Sequence, residues 1–174
     1  MYLTITSTAA PATDLGYLLH KHPGRAQSID LPVGRAHVFY PEATPEQCTA
    51  ALLLEIDPVG LVRGKRSAGE SVPLTHYIND RPYAASSMLA VALGRVFRTA
   101  MAGRCEQRPE LVRAELPLTV RIPCLPTGAR GGAERNAELI TRLFEPLGWH
   151  VEARDLPLDP QLPQWGCRAS PTSS

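Results

Sequence analysis

Residues 2–8, YLTITST, alternate apolar and polar side chains with β-branched residues throughout, the period of a strand with one buried face. A similar segment returns as LPLTVRIP at 116–123. Each is followed by a helical stretch and a further strand. The first is followed by DLGYLL, with Thr13 or Asp14 as cap and Pro23-Gly24 as stop, and then by SIDLPV. The second leads into GAERNAELITRLFEPLG and then WHVEARDLPL. The expected fold class from this order of strands and helices is α+β.

The recurrence extends to single residues. Leu3-Thr4-Ile5 corresponds to Leu118-Thr119-Val120, and Asp30-Leu31-Pro32-Val33 to Asp155-Leu156-Pro157-Leu158. The expectation is two β-α-β(β) units around a central long helix, an internal pseudo-repeat. Copy one carries a further strand, RAHVFYPE, after a turn at Gly34. Copy two runs through LDPQLPQWG into CRASPTSS, so its last strand is expected to be missing, and residues 167–174 to form a disordered Ser/Pro/Thr tail after a domain over 1–166.

Between the units, TAALLLEIDPVGLVRG reads as a buried strand and a turn around Asp57-Pro58, and KRSAGES as a polar loop. The long helix is expected from Pro82 to Gly103. Leu89, Leu93, Val96, Phe97 and Ala100 form its apolar stripe, with Arg95 and Arg98 off it.

Composition excludes several classes of function. A net charge of +1, with arginines scattered among acidic residues, gives no polyanion-binding run. Cys48, Cys105, Cys124 and Cys167 form no C-x-x-C pair and have no zinc-finger histidines. The amino terminus lacks the basic start and apolar run of a secretory signal, and MLAVALGRVF is too short to span a bilayer. A cytoplasmic protein with reduced thiols and no membrane association is expected.

Few constellations carry chemistry. In His20-Lys21-His22 the helical i, i+2 spacing turns the rings about 200° apart, so they share a metal only if the helix has already ended. The bland reading places both at a helix carboxyl end, against its unpaired carbonyls. His37, His76 and His150 lie one per segment, and triads join remote residues, so spacing does not decide their roles. No Gly-x-Ser-x-Gly elbow occurs, and TGARGGAE satisfies neither the Walker nor the dinucleotide pattern. In HYINDRPYAASS, Asp80, Arg81 and Tyr83 crowd the turn into the long helix. They read either as a cap and packing residues or as a recognition patch, since Arg and Tyr dominate protein interfaces.

The blocks ATDLGYLLHKHPGR, AHVFYPEAT, CTAALLLEIDPVGLVRG, YINDRPYAASS, AGRCEQRPEL, RLFEPLGW and LPLDPQLPQWG occur in this order along almost the whole chain. Together they resemble the amino-terminal region of bacterial HEN-type 3′-terminal RNA ribose 2′-O-methyltransferases. The resemblance implies a non-catalytic module of RNA repair that binds a polynucleotide kinase-phosphatase-ligase and switches on its ligase, meeting RNA only through that complex. The family's methyltransferase domain has no counterpart here, so the resemblance carries over no catalytic, cofactor or metal residue. In the family the Trp-Gly pair leads into another strand, whereas here Trp165-Gly166 is followed by CRASPTSS, as in a truncated chain whose open strand edge invites self-association. Two alternatives stay open: a small RNA-binding protein using Arg63, Arg66, Arg81 and Arg95, and a fragment of the full S-adenosylmethionine-dependent enzyme.

Overall fold

In the computed structural model, residues 1–57, 84–123, 132–157, 161 and 167–173 are described. The opening alternation forms β1 (Tyr2–Ser7), followed by α1 (Asp14–Leu19), β2 (Gln27–Leu31), β3 (Gly34–Ala43) and β4 (Cys48–Ile56). Next come α2 (Ala84–Val96), α3 (Arg98–Met101), a 3-10 turn at Pro109–Arg113 and β5 (Leu118–Arg121). The chain then forms α4 (Gly132–Phe144), a second 3-10 turn at Glu145–Leu147, β6 (Val151–Pro157) and β7 (Cys167–Ser173).

The seven strands make one sheet in the order β2-β3-β4-β1-β5-β7-β6, with every pairing antiparallel. The period of two sorts its faces. Leu3, Ala36, Val38, Cys48, Ala50, Leu52 and Leu54 are buried, while Ser28, Asp30, Arg35 and Glu55 on the opposite face are exposed. Leu15 and Leu19 of α1 join the buried face, as do Leu89, Ala92 and Val96 of α2 and the adjoining Phe97. The core is a layer of helices on one face of an antiparallel sheet, an α+β architecture.

Pro32 and Val33 make the two-residue loop between β2 and β3, and the ladder resumes with Leu31 opposite Gly34. Gly34 has φ +143, and a Cβ built there would lie 2.0 Å from the Glu55 carbonyl oxygen on β4. Close approach of three strands at this corner therefore depends on the missing side chain.

Three expectations are corrected. The last strand is present: Cys167–Ser173 forms β7 rather than a disordered tail. It pairs with β6 from Val151↔Ser173 to Pro157↔Cys167 and with β5 at Val120↔Ser173 and Arg121↔Thr172. Its Ser/Pro/Thr composition hid it, because it fills the gap between β5 and β6 and draws on backbone pairing. Second, the long helix is divided. Phe97, with φ −108 and ψ 31, leaves the helical region where its buried ring enters the core. Its N–H still donates to Leu93 and its carbonyl accepts from Met101, so the chain bends without stopping. The expected stripe is nonetheless the inward one.

Third, β-α-β-β recurs as an order but not as an arrangement. β1 and β3 run in the same direction with β4 between them, whereas β5 and β7 are antiparallel neighbours. Superimposing one unit on the other would reverse a strand.

Thr13 occupies the N-cap position of α1 without a side-chain hydrogen bond, and Asp14 turns to another partner. Its carboxylate, only 12% exposed, accepts from Arg108 Nη1 at 3.1 Å, tying α1 to a turn 94 residues later. Arg108 Nε also donates to Glu110, which raises the guanidinium pKa and lowers that of the Glu110 carboxyl. Arg108→Ala should lower the melting temperature more than Glu110→Ala, because only the former strands a carboxylate largely withdrawn from water. Adding Asp14→Asn to Arg108→Ala should restore part of the loss. Equal losses from the two single variants, measured by thermal unfolding, would show the tie to be unimportant.

Candidate interaction surface and groove

The end of α1 is built around His20. The Lys21 N–H donates to the Gly16 carbonyl at 3.0 Å and the His20 N–H to Tyr17 at 3.1 Å, the paired closure of a Schellman motif. Its left-handed position, usually held by glycine, is His20 with φ 54. Pro23 then folds back onto Gly16, where an added Cβ would sit 2.8 Å from the proline ring. The bland expectation for the two histidines is therefore half right: they lie at a helix end, but backbone N–H groups close its last carbonyls.

Beside this end lies a groove of about 560 Å³, lined by Tyr17, His20, Lys21, His22 and Arg25 and, across from them, by Glu106. The Tyr40 hydroxyl donates to the Lys21 carbonyl at 3.0 Å, fixing the peptide from the sheet side. Burial pushes the Lys21 ammonium pKa down and the Tyr40 phenol pKa up. His22 Nδ1 accepts from the Gly24 N–H at 2.9 Å, so the neutral ring carries its proton on Nε2. Among the described residues no group of three or more His, Cys, Asp or Glu side chains gathers to hold a metal ion.

A second surface belongs to α4. Ile140 is 5% exposed and turned inward, whereas Leu139 is 48%, Leu143 59%, Phe144 43% and Leu147 71% exposed. Leu139 and Leu143 stand at i and i+4 on α4, and Leu147 follows in the adjoining 3-10 turn, so exposed apolar side chains continue past the part of the helix turned inward. Apolar side chains grouped in this way on a surface mark an interaction site more often than scattered ones do.

A third arrangement crosses the exposed sheet face. Ser28 Oγ lies 2.9 Å from His37 Nδ1, and Glu55 Oε2 lies 3.3 Å from His37 Nε2. The row has the residue types of a hydrolytic triad. Ser28 and His37 are directly opposed across β2 and β3, Ser28 is exposed, and the Glu55 side chain is 65% exposed. A carboxylate so open to water polarises an imidazole weakly. These are cross-strand pairs that help hold register.

The residues singled out from the sequence as a recognition patch, Asp80, Arg81 and Tyr83, lie outside the described residues. So do Arg63 and Arg66, while Arg95 is exposed on α2. Reading the sequence missed both the groove and the exposed leucines of α4. The only available signal was the i, i+4, i+8 leucine spacing, which looks the same whether the stripe is covered or bare.

Comparison with known families supplies the deciding observation. The family described as the RNA-repair, ligase-Pnkp-associating region of Hen1 matches residues 1–172. The chain belongs to this family. The matched Hen1 region is the ligase-associating one rather than the methyltransferase domain, and it includes most of β7. No curated protein matches the chain. Among the described residues of this Hen1-family region, no helix is long and apolar enough to cross a membrane.

Proposed function

We propose that this chain is a non-catalytic module of RNA repair that binds a polynucleotide kinase-phosphatase-ligase and raises the activity of its ligase. The observation that carries this reading is the family match over residues 1–172. The bare α4 stripe supports it by offering a place to dock. A surface of Leu139, Leu143, Phe144 and Leu147 fits an apolar groove on a protein far better than it fits RNA.

Activation needs only a difference in affinity between the active and idle ligase. Raising an active population from about 1% to about 50% takes roughly 2.7 kcal/mol. Covering four half-exposed apolar side chains contributes about 1 kcal/mol each. If they are covered only in the active state, the sum exceeds the requirement, because the entropy lost on association is common to both states and cancels.

Leu143→Glu combined with Leu147→Glu should weaken association with the ligase at least ~30-fold, as loss of a central anchor does. The melting temperature should stay within a few degrees, since both side chains are mainly exposed. Titration calorimetry and ligase adenylylation check this together. A wild-type chain that does not bind the ligase would remove the whole reading. Normal binding by the double variant would remove only the stripe. In that case loss of binding in Arg81→Ala and Tyr83→Ala places the contact at the Asp80, Arg81 and Tyr83 patch. A dimer dispersed by the double variant would assign the stripe to self-association.

A further inference from the structure

We infer that the groove at the end of α1 is a nucleotide-phosphate site, with Lys21, Arg25 and His22 on the phosphate and the Tyr17 ring against the base. Its size falls within the usual range for small-molecule sites, and its charge selects the ligand class. Lys21 and Arg25 supply two cationic side chains against the single carboxylate of Glu106, and two imidazoles line the groove beside them. Lys21 Nζ donates to the His20 carbonyl at 3.2 Å, which leaves two of its three protons for another acceptor. Arg25 has no ion-pair partner among the described residues. His22 has its Nδ1 committed to Gly24, so the neutral ring presents only the Nε2 proton. Tyr17 is 45% exposed, leaving ring surface on which a base can stack.

The helix dipole does not use up these cations. α1 has six residues, and its Gly16 and Tyr17 carbonyls are closed by backbone N–H groups. The left-handed backbone at position 20 points the same way. Glycine would adopt it without strain, whereas histidine adopts it against a steric penalty and thereby places an imidazole on the groove wall. Backbone closure on both sides, the Tyr40 bond and the Pro23 contact hold residues 20–23 in place before any ligand arrives.

The site stands apart from the α4 stripe, so its test is independent of ligase binding. The probes are inorganic phosphate, AMP and a five-nucleotide single-stranded RNA with a 5′-phosphate, titrated into the full chain and followed by amide chemical shifts. AMP should bind saturably and shift amides of residues 17–25. Inorganic phosphate should bind about tenfold more weakly, because it lacks a base to stack. Lys21→Gln and Arg25→Gln should each weaken AMP by about tenfold, the usual effect of losing one charge-assisted hydrogen bond. Tyr17→Leu should abolish the advantage of AMP over phosphate. RNA tighter than AMP would make a strand end the natural source, and equal affinities would make it a free nucleotide. The inference fails if no probe saturates at ten-millimolar concentrations, or if binding is indifferent to both charge-removing variants while their amide spectra stay folded.

Discussion

Gly34→Ala should destabilise the protein by about 3 kcal/mol, a large value for adding one methyl group and one reserved for named backbone mechanisms. Two effects combine. With φ +143 the backbone occupies a region that side-chain-bearing residues rarely adopt, and the new Cβ would meet the Glu55 carbonyl oxygen at 2.0 Å. The obstacle is backbone of the neighbouring strand, so no rotamer change relieves it. Either β3 withdraws from β4 at Arg35↔Glu55 and Gly34↔Ile56, or the hairpin reopens its two-residue loop. A urea denaturation series checks this: the midpoint should fall strongly with little change in slope. An unchanged midpoint would mean that the corner is loose in solution. Because Arg35, Ser28 and His37 lie along the same strands, the Ser28–His37–Glu55 row should loosen as well.

Leu52→Ala should be of similar size, about 3–4 kcal/mol, for a different reason. Leu52 is 1% exposed and sits on β4 opposite Leu3 of β1 and Val38 of β3, near the centre of the core face. Truncation there removes the burial of three carbons and leaves a cavity that regular, paired strands are poorly able to collapse. Leu143→Ala removes the same atoms from a side chain 59% exposed and should shift the midpoint by less than about 1 kcal/mol. The contrast tests the assignment of faces directly. If the two variants proved equally damaging in urea, the α4 stripe would be core rather than surface.

These contrasts show where sequence reasoning reached and where it stopped. The strands at 2–7 and 34–43 were legible because alternation is local, that at 48–56 because a short apolar run is local, and the stripe from Leu89 to Ala100 because a period of 3.6 is local too. The turn at Gly34 was legible for the same reason. Strand order was not, since β1 pairs with β4 and β5, and the second of these partners lies more than 100 residues away. β7 was missed because Cys167–Ser173 has the composition of a tail and becomes a strand through its neighbours. The groove joins residues 13–27 to Glu106 and Gln107, a juxtaposition that only the fold creates. Its one local hint, His20-Lys21-His22, reads from sequence as the carboxyl end of a helix.

The placement of β1 bears on how the chain is made. β1 is an interior strand of the finished sheet, and its two partners follow it in the chain only at residues 48 and 118. Residues 1–57 contain all of β2-β3-β4-β1, but β1 has a bare edge until more than sixty further residues have been synthesised. During that interval a nascent chain can pair with another copy through the same edge. Refolding from denaturant faces the same long-range closure and should be slow for a domain of this length. Production yield should therefore depend more on temperature and on the rate of synthesis than on the stability of the finished fold.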